Sequence, residues 1–167
     1  MGIRKLVDRE HEVLKSNASE VKKVTAPIAK LMNDMVETMT HHKGVGLAAP
    51  QIGIGKQIIV VAEKEGEIIK LINPSIIESS GKSVDVEGCL SIPGVYGEVS
   101  RATKAVITGV NENNETVCIE AEGMLARILQ HEIDHLRGTL FVEKAERILD
   151  PRELEDRAEN QEETEQD

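Results

Sequence analysis

Tryptophan is absent from the 167 residues, and tyrosine and phenylalanine occur once each. A surface that stacks the bases of single-stranded nucleic acid needs such rings, so that role is disfavoured. The core has to be built from Ile, Val, Leu, Met and Ala. Cysteine occurs only twice, which does not point to a disulfide framework. No apolar N-terminal run fits a signal peptide, and no segment is long enough to span a membrane. The expectation is a cytoplasmic protein with reduced thiols, and with neither membrane nor DNA as partner. Positive charge is also short: 20 Lys and Arg face 30 Asp and Glu, a net charge of −10. Residues 151–167 hold eight acidic and two basic residues, so they carry −6 of the −10 and the rest carries −4. Neither part favours a phosphate backbone.

What is present fits one globular domain, with 40% hydrophobic and 30% charged residues. We expect a single domain over residues 1–150. The polar stretch 151–167 has no apolar stripe and is expected to be a frayed helix or a disordered tail. Ile28, Leu31, Met32, Met35 and Met39 recur at helical spacing, with Pro27 near the start, and predict a first helix ending near His41-His42-Lys43-Gly44. Adjacent histidines cannot share a helix face; at a C-terminus they complement the dipole. The segment Gly44–Gly55 has the look of a phosphate-cradling loop. It lacks the Gly-Lys-Ser/Thr ending, however, and follows a helix rather than a strand.

Strand patterns follow. Gln57–Val61 is β-branched and apolar, Glu65-Gly66 turns, and Ile68–Ile72 returns. Pro74 is expected to close that strand, with Ile76-Ile77 starting another short one. Val84-Asp85-Val86 leads into a loop carrying Cys89. Lys104–Val110 and Thr116–Ala121 form a hairpin around Asn111–Asn114. Cys118, within the second of these, is expected to be in the core or half-buried. Residues 4–14 are polar and give no assignment.

The chemistry is concentrated in His131-Glu132-Ile133-Asp134-His135. Residues four apart share a helix face, so both histidines can address one metal ion, with Glu132 within reach of a water there. The bland alternative is a polar face with two solvated histidines. The surroundings oppose it. Leu125, Ile128, Leu129, Ile133 and Leu136 recur at helical spacing, and Gly138 is a stop signal. Two histidines built into such a core helix need partners, and a metal supplies them. A third ligand must come from elsewhere. Cys89 in Glu87-Gly88-Cys89-Leu90-Ser91 is the best candidate. Helix, antiparallel strands, then helix predicts an α+β fold: antiparallel β-sheets packed around a central H-E-x-x-H helix, with an N-terminal helix.

Three segments in this order, Gly44–Gln51, Glu87–Ser91 and His131–Gly138, together resemble the peptide deformylase family. Its patterns G-x-G-x-A-A-x-Q, E-G-C-x-S and H-E-x-D-H-x-x-G are all complete here. The likeness runs from about residue 25 to residue 142, and Pro93–Arg101 resembles one bacterial subgroup. Residues 4–20 match loosely, and the family's C-terminal helix is usually better formed than this acidic tail looks.

The resemblance implies removal of the formyl group from formyl-methionyl N-termini of nascent polypeptides, releasing formate. Cys89, His131 and His135 would hold one divalent ion, with a fourth position for water. The resemblance implies ferrous iron, with zinc as an alternative occupant. Glu132 would carry the proton from water to the leaving amine. Gln51 and the backbone N–H of Leu90 would stabilise the oxyanion. A substrate peptide would lie as an added strand against the backbone around Gly46. Val45, Met124 and Ile128 are candidates for the wall of the methionine pocket, plain core packing being the alternative for Met124 and Ile128. Glu87 and Arg101 are candidates for an ion pair that fixes the Cys89 loop. Asp134 is a candidate to orient a ligand or pair with a basic residue. For both, an ordinary surface pair is the alternative. In some family members the C-terminal helix docks on the ribosome; an acidic tail puts that route in doubt. Two other functions compete. A zinc-dependent peptidase would take its third ligand downstream, where Glu143 and Glu146 are the nearest carboxylates. A non-catalytic paralogue would bind N-terminal peptides without turnover.

Overall fold

The run Ile58-Ile59-Val60-Val61 has no polar alternation because both of its faces are covered. A computed structural model describes residues 2–165 of the chain. In it, β2 (Ile58–Ala62) sends Ile59 and Val61 into one apolar cluster and Ile58 and Val60 into another. The first cluster is completed by Ala126, Leu129, Ile133 and Leu136 of α2 (Gly123–Leu136). The second is completed by Ile28, Leu31, Met32, Met35 and Met39 of α1 (Ala26–His41). The two helices thus clamp one sheet from opposite sides, and strand periodicity of two sorts residues between them.

That sheet has five antiparallel strands in the order β1-β2-β3-β6-β7, where β1 is Gly46–Ala48, β3 Ile68–Ser80, β6 Lys104–Val110 and β7 Thr116–Glu122. A second sheet has the order β4-β5-β8, with β4 Ser83–Cys89, β5 Ile92–Arg101 and β8 Ala145–Ile148. Between β7 and α2 there is no loop. Every residue from Ala126 to Leu136 is buried, so α2 is the centre of the molecule. A third cluster of Leu14, Ile92, Val99, Leu140 and Phe141 lies behind the second sheet, where the short α3 (Phe141–Lys144) joins it. Among the described residues, no helix is long and apolar enough to cross a membrane.

The expected first helix, the Lys104–Ala121 hairpin and the central helix are all present. Two expectations are corrected. Pro74 does not close a strand, because β3 continues through it to Ser80. Asn73 adopts φ 52° and the register shifts between Ile72 and Ser75, so the proline falls in a bulge where the ladder needs no N–H from it. The Asn73 side chain secures the bulge, accepting from Val21 N at 2.9 Å and donating to Val21 O at 2.6 Å. Cys118 is neither core nor half-buried. It is exposed, on the face of β7 that points away from α2.

Residues 12–15 form a 3₁₀ turn. Residues Pro151–Glu165 form α4, tied to the second sheet by exposed ion pairs. Arg147 reaches Glu153 at 2.7 Å and Glu98 at 3.0 Å.

Candidate metal centre

The two sheets deliver different parts of one site. Cys89 is the last residue of β4, where the two-residue turn Leu90-Ser91 leads into β5. His131 and His135 come from α2, one helical turn apart. The ligand-capable atoms of Cys89, His131 and His135 all lie within 4.8 Å of one another. His135 Nε2 is 3.4 Å from Cys89 Sγ. Both histidines are buried and Cys89 half-buried. This thiolate-plus-two-imidazole set fits a divalent transition metal.

The orientation of His131 is imposed from behind. Its Nδ1 meets Glu87 Oε1 at 2.8 Å, which leaves Nε2 to face the cluster. Glu87 is itself saturated. Arg101 binds both its oxygens, at 2.7 and 2.8 Å, and Arg127 adds a 2.6 Å bond to Oε2. Arg101 also reaches Asp134 at 2.6 Å, and Lys144 reaches Asp134 at 2.9 Å. The Glu87–Arg101 pair and the Asp134 pairing are therefore present, but as a buried network rather than a surface pair. Phe141, the only phenylalanine, stacks on His131 with ring centroids 6.0 Å apart.

Titration follows from these contacts. Burial works to raise the Glu87 carboxyl, but Arg101 and His131 outweigh it and hold it down to about 2. Burial works to lower His131, but hydrogen bonds to Cys89 and Glu87 outweigh it and raise it to about 10. The proton His131 holds there is one that a metal ion displaces on binding. His135 is pushed well below its ordinary value by burial and by its cationic neighbours His131 and Arg101. Burial raises Glu132 to about 7 against the pull of His131 and Arg101. Among the described residues, Glu132 Oε2 and His135 Nδ1 are buried polar atoms with no partner. An acceptor of this kind, ionising near neutral pH, suits a group that takes up and gives away a proton.

Gln51 is held so that its amide N–H points at the centre. Its Oε1 accepts from Ala48 N at 2.9 Å, and its Nε2 donates to Ser91 Oγ at 3.2 Å and Cys89 Sγ at 3.4 Å. Gly46 lies against Glu132: a Cβ there would stand 2.6 Å from Glu132 Oε1. The small residue at 46 therefore makes room for the glutamate as well as for anything passing along β1. Gly88 is explained in the same way. A Cβ on it would meet the Tyr96 ring at 2.6 Å.

In front of these groups opens a cleft of about 610 Å³. Gln51, Leu90, Val45, Gly46, Met124 and Ile128 all line it, together with Cys89, His131 and Glu132. Met124 is 60% exposed, which removes core packing as its reason for being apolar. Ile128 is buried and does double duty, in the core and in the cleft wall. Glu143 and Glu146 are exposed and are not part of the ligand cluster. His41 and His42 end α1, and neither belongs to that cluster.

Sequence reasoning missed Arg127. It is buried on α2, four residues before His131, and ties α2 to both strands of the Cys89 hairpin. It donates to Val99 O at 2.9 Å and Ser83 O at 2.9 Å as well as to Glu87. The spacing Arg127, His131, His135 was the available signal.

Comparison with known proteins follows the same outline. The family model for polypeptide deformylase matches residues 3–150. A peptide deformylase of Carboxydothermus hydrogenoformans is 54% identical over 149 residues, covering 89% of this chain and 97% of the relative. One of Desulfitobacterium hafniense is 49% identical over 147 residues, covering 88% and 97%. The crystal structure of the Ehrlichia chaffeensis peptide deformylase in complex with actinonin superposes with a TM-score of 0.84 at 38% identity, over 86% of this chain and 89% of that one. With the match running through the cleft from β1 to the end of α2, this chain belongs to the peptide deformylase family, metal-dependent enzymes that remove N-formyl groups from the N-termini of nascent chains.

Proposed function

We propose that residues 1–150 form the catalytic domain, which deformylates formyl-methionyl N-termini in the bacterial cytoplasm, and that Cys89, His131 and His135 hold its metal ion. The observation that carries the reading is the convergence of three ligand atoms within 4.8 Å beside a buried, unpartnered Glu132 oxygen. Ferrous iron is the ion we assign, with zinc as competing occupant, since a Cys-His₂ set accepts both. When bound, a divalent ion supplies Lewis acidity and makes hydroxide available near neutral pH.

The protein's own groups do the rest. The peptide lies along β1, the outer strand of its sheet. Val45, Met124 and Ile128 take the methionine side chain. As water adds to the formyl carbon, Glu132 Oε2 receives its proton. The formyl oxygen becomes negative between Gln51 Nε2 and the N–H of Leu90, where one such donor is worth about 3 kcal/mol. When the C–N bond breaks, Glu132 returns the proton to the amine nitrogen, and formate and a free N-terminus leave. A peptidase reading loses its support, because Glu143 and Glu146 stand away from the cluster. A non-catalytic reading would require a missing base or ligand, and all are present. Ribosome docking through α4 is disfavoured, since residues 151–167 carry −6, the sign that RNA phosphates repel.

The test is anaerobic purification, metal analysis and a formate-release assay on a formyl-Met peptide, with Glu132→Ala and Cys89→Ala beside the wild type. Glu132→Ala is expected to keep metal and lose turnover by orders of magnitude; Cys89→Ala is expected to lose metal. Near wild-type turnover by metal-loaded Glu132→Ala, or tight stoichiometric metal in Cys89→Ala, overturns the assignment.

A further inference from the structure

The cleft lies in a chain of net charge −10, yet among the described residues no free carboxylate lines it. Its two acidic residues are Glu87, bound to two arginines, and the buried Glu132. Arg127 is spent on Glu87 and on backbone carbonyls. Once these groups and the metal-ligand set are accounted for, one charged side chain remains on the lining: Lys43, next to His42. It is exposed and has no ion-pair partner among the described residues. The facing lip, Pro93-Gly94-Val95-Tyr96, carries no charge.

The position of Lys43 is built into the backbone. It closes α1 in the left-handed region at φ 56°, its N–H donates to Thr40 O at 3.0 Å, and Gly44 N donates to Met39 O at 2.9 Å. Lys43 is three residues before Gly46, the residue that touches Glu132. Three residues of chain span at most about 10 Å, and an extended peptide advances about 3.3 Å per residue. For a peptide whose formyl end sits at Gly46 and whose next residues run toward residue 43, the Lys43 ammonium comes within reach of the second and third residues after the formyl-methionine.

We infer that Lys43 is a specificity-determining residue that favours nascent chains with Asp or Glu at the second or third residue after formyl-methionine. The inference rests on the proposed placement of the peptide along β1. The interaction is solvent-exposed, so its size is that of a surface pair, about two- to five-fold in kcat/KM, and salt screens it.

The experiment measures kcat/KM for formate release from formyl-Met peptides that carry Asp, Asn or Lys at those positions, at low and high salt. Wild type and Lys43→Glu are compared. The wild type is expected to prefer Asp over Asn by about two- to five-fold and to disfavour Lys. Lys43→Glu should invert that order, and high salt should flatten both. Equal Asp-to-Lys ratios in the two proteins, or a wild-type preference for Lys, overturn the inference. Glu132→Ala run on the same peptides separates the two levels. If that variant stays active, the site reading itself fails. If it is inactive while the ratios ignore Lys43→Glu, only the role of Lys43 fails.

Discussion

Replacing Gly46 by alanine adds one methyl group at the point where the strand meets the proposed proton carrier. The backbone at 46 is not in the left-handed region, so alanine brings no conformational strain of its own. Its Cβ would, however, stand 2.6 Å from Glu132 Oε1 and 2.9 Å from its Cγ. An ordinary contact begins near 3.4 Å, so the carboxylate must retreat by about 0.8 Å or β1 must move outward. Overpacking of this kind costs about 1–3 kcal/mol of stability, which a folded domain tolerates. The catalytic loss should be larger in proportion, because a displacement near 1 Å in a reacting group lowers rates by about 10²-fold. We expect Gly46→Ala to fold, keep its metal and lose about 10²-fold in kcat. The decisive assay is a double-mutant cycle. In a Glu132→Ala background the clash has no target, so adding Gly46→Ala should change residual formate release little. A full 10²-fold loss in that background would show that Gly46 acts through the peptide, and wild-type turnover by the single variant would sink the placement of Glu132 altogether.

Gln51→Leu should retain metal and lose about 10²-fold in kcat/KM, the scale of one oxyanion donor, as read by formate release. Arg127→Met leaves a buried carboxylate and two carbonyls short of a donor. We expect a loss of about 3–5 kcal/mol in denaturant unfolding and of about 10–100-fold in metal affinity by chelator competition. Truncation after Asp150 removes α4, which among the described residues contributes exposed ion pairs and one half-buried apolar side chain, Leu154, so thermal stability, metal content and small-peptide turnover should stay close to wild type.

Elements were legible where one periodicity ran uninterrupted. The methionine and leucine stripe of α1 and the alternation of β6 and β7 needed nothing from tertiary structure. β5 went unassigned, because Pro93, Gly94 and Gly97 interrupt any apolar alternation. Gly97 is small for a tertiary reason: a Cβ there would meet Ala145 and Ile148 of β8 at 3.0 and 3.1 Å. Pro74 misled for the complementary reason, since a bulge pinned by Asn73 to Val21, 52 residues away, cannot be seen in a local window. The face of Cys118 followed from which side of β7 α2 covers, a choice that a short alternating strand leaves open. At the site, Cys89, His131 and His135 bring their ligand-capable atoms within 4.8 Å of one another, and Gln51 and Glu132 line the adjoining cleft. Arg127 stayed out of sight because an arginine on an apolar helix reads as solvent-facing, and only the opposing carbonyls of Ser83 and Val99 make its burial affordable.

Tyr96 has its ring over Gly88, one residue from Cys89, on the lip of the cleft, and it is the only tyrosine in a chain without tryptophan. The tyrosine emission of this protein therefore comes from a single place, on the lip of the cleft where the peptide is proposed to bind. Binding can be followed as a change in intrinsic fluorescence, with no label and no background from a distant indole. The scarcity of aromatic rings turns the unmodified enzyme into its own optical reporter for ligand titration and stopped-flow work.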